Sequence, residues 1–387
     1  MRMLQSKMLR IGIDASRAFI DQPTGTERYS YEVIMRLLGL PEAKEHEWIL
    51  YVKSQIPNLE IQTRSNIQLV QIPMKYLWTQ VGLAARTWVD GLDALWVPAH
   101  TLPILRRGFG GLGSPLKTVV TIHGIEYEWL PAYENWLQRW YLPLSTKYAV
   151  KSADKIIAVS EFTKRQLIER LKADSRKVEV VYEGVNTSPS NPSPKLGEGR
   201  KGEVLKRWGL KPKQYLLFVG TVQPRKNLGR LIEAFASLKS QASGLKLVIC
   251  GKLGWSYDEI LTAPEKYNVR ERVVFTGFVP EPERVELLKS ALVYVQPSIT
   301  EGFGLPVLEA MAAGVPVVSS RGGALEEVVG KAGLLFDPYD VEEMRHKLSL
   351  IIDSYLLRKE LIEKDRRRVG GFTWEKAANE TYRILTD

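Results

Sequence analysis

DKIIAVSEFTKRQLIERLKADSRKVEVVYEG, residues 154–184, reads as a strand, a helix and a second strand. Its outer runs, DKIIAVS (154–160) and KVEVVYEG (177–184), are short, apolar and rich in β-branched residues. The segment between them, EFTKRQLIERLK (161–172), repeats its apolar residues at helical spacing. Strands joined through a helix rather than a tight turn make a parallel crossover, the repeating unit of α/β sheets. Working outward, LRIGIDAS (9–16), EWILYVKS (47–54), NIQLVQIP (66–73), DALWVPAH (93–100) and KTVVTIHG (117–124) read as further strands, with ERYSYEVIMRLLG (27–39) as a helix. Strands this apolar, alternating with helices, imply a parallel sheet covered on both faces.

The composition then shifts. NTSPSNPSPKLGEGRKG (186–202) is rich in Ser, Pro, Gly and charge without periodicity, so it reads as a linker or surface insertion. After it the alternation restarts with QYLLFVG (214–220), a helix from Asn227, LKLVICG (245–251), VVFTGFV (273–279), LVYVQPS (292–298), PVVSS (316–320) and AGLLFDP (332–338). DVEEMRHKLSLIIDS (340–354) is helical among these. At 387 residues the chain is too long for one ordinary core. The expectation is two doubly wound α/β domains, 1–185 and 204–371, with a linker at 186–203. The amphipathic helix FTWEKAANETYRIL (372–385) has no strand after it, so the tail 372–387 is expected to dock back on the first domain. Ligands of open α/β sheets sit beyond the carboxyl ends of the strands, which makes a cleft between two facing sheets the expected site.

Lys and Arg number 54 against 44 Asp and Glu, a net charge of +10 that favours anionic partners: nucleic acid, anionic lipid or phosphorylated ligands. The basic residues are scattered, and the cluster Asp365–Arg368 reads as a solvated helix face. A single cysteine, Cys250, excludes an intrachain disulfide and points to a reducing cytoplasm. The start, MRMLQSKMLRIGID, has no signal-peptide apolar core, and no apolar run is long enough to span a bilayer. The four histidines lack metal-ligand spacing and no D-x-D occurs, so neither a cofactor nor a bound metal is expected.

GFGGLG (108–113) has the spacing of a dinucleotide fingerprint, but Ser114-Pro115 and a strand follow it where a helix would have to start. It reads as a plain loop. GTVQPRKN (220–227) does follow a strand and open a helix. Gly220 permits a tight turn, and Arg225 and Lys226 stand where their charge opposes the helix dipole unless an anion sits with them. They are either phosphate ligands or solvated surface charge.

EGFGLPVLE (301–309) sets two carboxylates around a glycine-rich helix start. Gly302 and Gly304 allow close backbone approach, Pro306 suits the first helical position, and the amides of 303–305 with the helix dipole would attract an anion. A carboxylate accepts two hydrogen bonds at once, so Glu301 and Glu309 suit vicinal diols on either side of that anion. A sugar diphosphate has this alternation of hydroxyls and charge. The plainer alternative keeps Glu301 as a cap and Glu309 as a surface acid.

This E-x7-E stretch, preceded by P-S and followed by EAMAAGVPVV, resembles the retaining glycosyltransferases of the GT4 type. VGTVQPRKN, VVFTGFV, SEFTKR (160–165) and TGTER (24–28) resemble that family too, in order over nearly the whole chain. The resemblance implies a GT-B fold, with a nucleotide-sugar donor held mainly by the second domain. By position, Glu301 would hold hydroxyls of the transferred sugar. The backbone of Gly302, Phe303, Gly304 and Leu305 would meet the diphosphate and sugar, and Glu309 the ribose. Arg225 and Lys226 would neutralise the leaving phosphate, Gly220 would lie beside them, and the backbone at Phe278 and Val279 would meet the base. The first domain would contribute Gly25 from its glycine loop and His123, which reaches the sugar from the acceptor side. His123 could instead only tie a carbonyl to its neighbours, while His46, His100 and His346 have no such support. Many members carry Arg where this chain has Thr221, which leaves Arg225 as the substitute.

The reaction so implied is transfer of a hexose, mannose by the wording PRKN, from a nucleotide sugar such as GDP-mannose to a glycan or lipid-linked acceptor in cell-surface polysaccharide or glycoconjugate biosynthesis. A nucleotide-sugar epimerase would need no acceptor, and a non-catalytic binding module would show affinity without turnover. Nucleic acid is disfavoured because no recognition motif or basic-aromatic stripe is present. The aromatic, partly basic segment 126–151, with Trp136 and Trp140, is either an acceptor wall or a peripheral contact with the inner face of an anionic membrane.

Overall fold

The computed structural model describes residues 7–20, 23–54, 64–74, 76–128, 136–186, 202–238 and 244–387; the linker stretch 187–201 lies outside them. In the first half the strands are β1 (Arg10–Asp14), β2 (Glu47–Val52), β3 (Ile67–Gln71), β4 (Ala94–Val97), β5 (Lys117–Ile122), β6 (Lys155–Ala158) and β7 (Val178–Val180). In the second they are β8 (Tyr215–Val219), β9 (Lys246–Cys250), β10 (Val273–Gly277), β11 (Val293–Gln296), β12 (Val317–Ser320) and β13 (Leu334–Phe336). Each falls within an apolar run read from the sequence. They pair throughout in parallel, in the orders β3-β2-β1-β4-β5-β6-β7 and β10-β9-β8-β11-β12-β13.

Helices on both faces explain why inner strands lose the in-out alternation. Every residue of β8 is buried, which only a strand covered on both sides can sustain. The helix Leu228–Ala236 covers one face of the second sheet with Leu228, Leu231, Ile232 and Phe235, all buried beside Leu216, Phe218 and Val295. In both sheets the order reverses at the first strand, so β1 lies between β2 and β4, and β8 between β9 and β11. Loops leaving the carboxyl ends of β1 and β4, or of β8 and β11, therefore run to opposite sides and leave a crevice.

The chain divides into two units. One comprises Met1–Glu128, Asn135–Gly184 and Trp374–Asp387, and the other is built mainly on Val185–Thr373. The terminal helix Trp374–Thr386 is thus part of the first unit. There Arg36 Nε donates to Glu375 Oε1 (2.9 Å), and His46 Nε2 lies 3.0 Å from the Tyr382 hydroxyl.

Two expectations meet different outcomes. GFGGLG is a single 3-10 turn with left-handed glycines that leads into β5 without a helix, as read. The cluster Asp365–Arg368 is not a solvated face throughout: Asp365 is fully buried, and Arg368 Nε donates to Val328 O (3.0 Å). Helical periodicity in Tyr355–Val369 is blurred by its charges, and packing against the helix Leu305–Ala312 buries one of them.

Candidate active site

At the crevice of the second sheet, two loops bring the predicted charges together. After β8 the chain makes one 3-10 turn, Pro224–Lys226, and Asn227 in a left-handed conformation opens the helix Leu228–Ala236. The Asn227 side-chain amide donates to Pro297 O (3.0 Å) and Pro338 O (2.7 Å), and Ile299 N donates to Arg225 O (2.9 Å), which fastens this turn to the loop after β11. Arg225 Nη1 then donates to Glu301 Oε2 (2.7 Å), and Lys226 Nζ to Glu301 Oε1 (2.5 Å). Gln296 Nε2 (2.9 Å) and Ser298 Oγ (2.6 Å) also donate to Glu301 Oε1. Burial alone would push the Glu301 carboxyl up, but Arg225, Lys226 and these donors outweigh it and hold it down at about 2. The cations at this helix start therefore already have an anionic partner, which the dipole argument from sequence had assigned to a ligand.

The backbone of Glu301 is held as firmly as its side chain. Ala324 N donates to Glu301 O (2.9 Å), and Glu301 bridges Gly323. Gly323 has φ +70°, and a Cβ there would sit 2.3 Å from Glu301 O, so no larger residue fits. Gly304, at φ +111°, opens the helix Leu305–Ala312, with Pro306 in its first turn. Gly302, Phe303 and Leu305 are buried, and Gly304 is partly exposed, so this stretch is more enclosed than the open row of amides expected. Glu309 is not a surface acid. It pairs with Arg284 of the helix Glu281–Ser290, where Nη2 lies 3.4 Å from Oε1 and Nη1 is closer to Oε2. Just beyond β10, Phe278 is exposed and Val279 buried, and Gly220 follows β8 beside Lys226.

In the first unit Gly25 starts the helix Gly25–Gly39, whose Glu27 carboxylate accepts from the Thr24 amide (3.1 Å). His123, just past β5, has both ring nitrogens engaged: Nε2 lies 3.0 Å from Pro98 O and Nδ1 3.0 Å from Glu183 Oε1. A carbonyl only accepts, so Nε2 carries a proton. Burial raises the Glu183 carboxyl, and its bond to His123 works against that. A hydrogen bond at 3.0 Å between Nδ1 and Oε1 requires one proton on one of the two atoms. The His100 ring lies 5.7 Å from that of His123, and its buried Nδ1 has no hydrogen-bond partner among the described residues. Burial, then the charges of His123 and Arg17, push it down to about 3, so it is neutral.

Sequence reasoning missed Gln296, Ser298, Gly323, Arg284, Glu183 and His100. Three carried a signal: Glu183, His100 and Ser298 stand at or next to the carboxyl end of a strand run, as His123 does.

A family profile described as glycosyl transferases group 1 matches residues 202–368, and one described as glycosyltransferase family 4 matches 25–189. O-antigen chain mannosyltransferase B of Escherichia coli is 30% identical over 275 residues, covering 70% of this chain and 71% of that one. Among solved structures, a glycosyltransferase from Rickettsia africae superposes with a TM-score of 0.72 at 18% identity, covering 98% of both chains. HepE of Anabaena in complex with UDP and glucose superposes at 0.71 and 17% identity, covering 98% of this chain and 99% of that one. The chain belongs to the group 1, family 4 glycosyltransferases and has their GT-B architecture of two Rossmann-like domains.

Proposed function

We propose that the protein moves a hexose, mannose first among them, from a nucleoside-diphosphate sugar to a hydroxyl of a glycan or lipid-linked acceptor, with retention of anomeric configuration. The observation that carries this reading is the Arg225–Glu301–Lys226 cluster, two cations and a carboxylate fixed at the crevice of the second sheet. Preorganised charge aimed at a leaving group is where a protein contributes most to such a step. Arg225 and Lys226 take up charge growing on the diphosphate, and Glu301 receives sugar hydroxyls. The backbone from Gly302 to Leu305 borders the phosphates, Glu309 held by Arg284 meets the ribose, and Phe278 and Val279 border the base. The donor class is supported by UDP in the HepE complex, and mannose by the name of the Escherichia coli relative.

The acceptor oxygen attacks the anomeric carbon on the face the diphosphate leaves. A departing phosphate oxygen takes the acceptor proton, so the products are a glycoside and a nucleoside diphosphate. A double displacement would instead require a carboxylate on the opposite face. Thermal shift against UDP-, GDP- and ADP-sugars tests the donor: GDP-mannose at a hundredfold its Kd should stabilise the protein by about 2.7 kcal/mol. Turnover should need an acceptor and persist in EDTA, because the two side-chain cations serve where other enzymes use a metal. No shift with any nucleotide sugar would defeat the reading.

His123 and Glu183 are assigned to the acceptor end of the reaction, with Gly25 leaving the backbone accessible there. Glu183→Gln keeps the hydrogen bond but removes the shared proton's second site. We expect kcat to fall at least about tenfold, with the acid limb of the pH profile displaced and donor KM unchanged. An unaltered pH profile would leave the pair a structural tie.

A further inference from the structure

We propose that His100 binds the acceptor in the crevice of the first sheet, and that the acceptor group it meets is an uncharged sugar hydroxyl, not a phosphate or carboxylate. The inference rests on the glycosyl-transfer reading above and adds to it a residue and an acceptor class. His100 lies just past β4, the strand between β1 and β5, where the order of the first sheet reverses. Asp14 ends β1 on one side of it, and His123 follows β5 on the other. Its backbone is anchored from both directions. Thr101 N donates to Ala99 O (3.0 Å), which closes a three-residue turn with His100 at the apex. Pro98 O, before that turn, lies 3.0 Å from His123 Nε2, and Leu102 O, after it, accepts from Gln80 Nε2 (3.1 Å). The ring itself packs 5.7 Å from that of His123 and 6.3 Å, edge to face, from that of Tyr127.

A residue placed this firmly leaves its own hydrogen bonds unmade. Nδ1 is buried without a partner among the described residues, and Nε2 has none there either. His100 is partly exposed, so with Nδ1 enclosed the ring meets whatever fills the crevice through Nε2. Neighbouring polar groups are spent: Trp96 Nε1 donates to Thr121 Oγ1 (3.1 Å), and the Tyr29 hydroxyl lies 3.4 Å from the same oxygen. An unmade bond among satisfied ones marks a partner that arrives with the ligand. Charge selects its class. Burial, then the charges of His123 and Arg17, keep the ring neutral. A neutral imidazole presents one N–H and one lone pair, and a hydroxyl suits either tautomer because it both donates and accepts. An anion only accepts, and it would lose its hydration beside the buried carboxyls Asp14 and Glu183. Arg17, whose charge reaches both Asp14 and His100, is already bonded to Glu27 Oε1 (3.3 Å). Of the other cations at this edge, Lys53 follows β2 and Lys164 and Arg165 follow β6, each two strands from β4. The side chains of Trp136 and Trp140, which the sequence offered as an acceptor wall or a membrane contact, lie outside the described ones.

The first test needs no donor. In protein carrying isotope-labelled histidine, the ring signal that vanishes in His100→Gln belongs to His100. That signal should hold its position between about pH 5 and 8, where an ordinary histidine titrates. It should move saturably with the methyl glycoside of mannose, glucose or galactose, and mannose 6-phosphate should bind at least about tenfold more weakly. The second test is turnover of GDP-mannose with the same glycosides, read as release of nucleoside diphosphate. His100→Ala should raise the acceptor KM at least about tenfold, the loss of one hydrogen bond to a substrate hydroxyl. His100→Gln, whose amide can stand where Nε2 stood, should recover most of that. Donor KM and melting temperature should be equal in all three proteins. Equal or tighter binding of the phosphate, a signal unmoved by all three glycosides, or an acceptor KM untouched in His100→Ala overturns the proposal. So does a donor KM that rises in step with the acceptor KM. Absence of any thermal shift with nucleotide sugars, with the glycoside response intact, would defeat the donor reading and leave this one standing.

Discussion

Lys226→Ala should lower kcat by about 100- to 1,000-fold, the loss seen when one preorganised donor to a developing anion is removed. The prediction needs separating from simple damage, because Lys226 also compensates a buried carboxylate. The Lys226 and Glu301 side chains are 13% and 10% exposed, and breaking such a pair by deleting one member costs about 3–5 kcal/mol. Glu301→Gln should cost stability for the opposite reason, since Arg225 and Lys226 would face each other without a counter-charge. The double variant Lys226→Met, Glu301→Gln removes both members, so it should regain most of the stability lost in either single change. It should regain none of the activity. Stability that recovers without turnover assigns the cluster to chemistry; turnover that recovers with stability would make it a structural ion network. The acid limb supplies a second readout. The Glu301 carboxyl is held down at about 2, so its stabilisation is complete above an ordinary carboxylate pKa near 4.3 and is lost as pH falls toward 2. Glu301→Gln should flatten that part of the unfolding profile.

The fold was legible because parallel strands buried on both faces must be written as continuous apolar runs. From IIAV in β6 to YLLFV in β8, the text allows little else. The site's charged residues were legible where one short stretch carries several constraints at once, as EGFGLPVLE does. What stayed hidden is pairing across distance. Nothing in PRKN says that its cations close on a carboxylate 75 residues later, although both stretches end neighbouring strands at the same crevice. Arg284 and Glu309 likewise lie on different helices, and an arginine in a charged helix looks like every other one. His123 shows the limit in another way. Its two sequence readings, a ligand for substrate or a tie for a carbonyl, are not exclusive, since Nε2 makes the tie to Pro98 O while Nδ1 shares a proton with Glu183.

Asp365 should prove to be a brake on stability at neutral and alkaline pH. It is fully buried in the helix Tyr355–Val369, neither carboxylate oxygen has a hydrogen-bond partner among the described residues, and burial pushes its carboxyl up to about 8. The unfolded chain gives up that proton near 3.9, so between those values the folded state binds more protons and stability falls as pH rises. Four units at about 1.4 kcal/mol each set the full effect on the order of 5 kcal/mol, a large share of what holds a domain together. Asp365→Asn keeps the shape and cannot ionise. It should therefore be a few kcal/mol more stable than the wild type at pH 8 and within about 0.5 kcal/mol of it at pH 4, where the folded acid is neutral and the unfolded one about half ionised. Asp365→Leu separates charge from polarity: it too should gain at pH 8, and it should keep part of the gain at pH 4 because it buries no polar group at all. Chemical denaturation at the two pH values measures this, with turnover as the control that the site is untouched. Equal stability of wild type and Asp365→Asn at pH 8 would mean that the carboxylate finds a partner or water in solution.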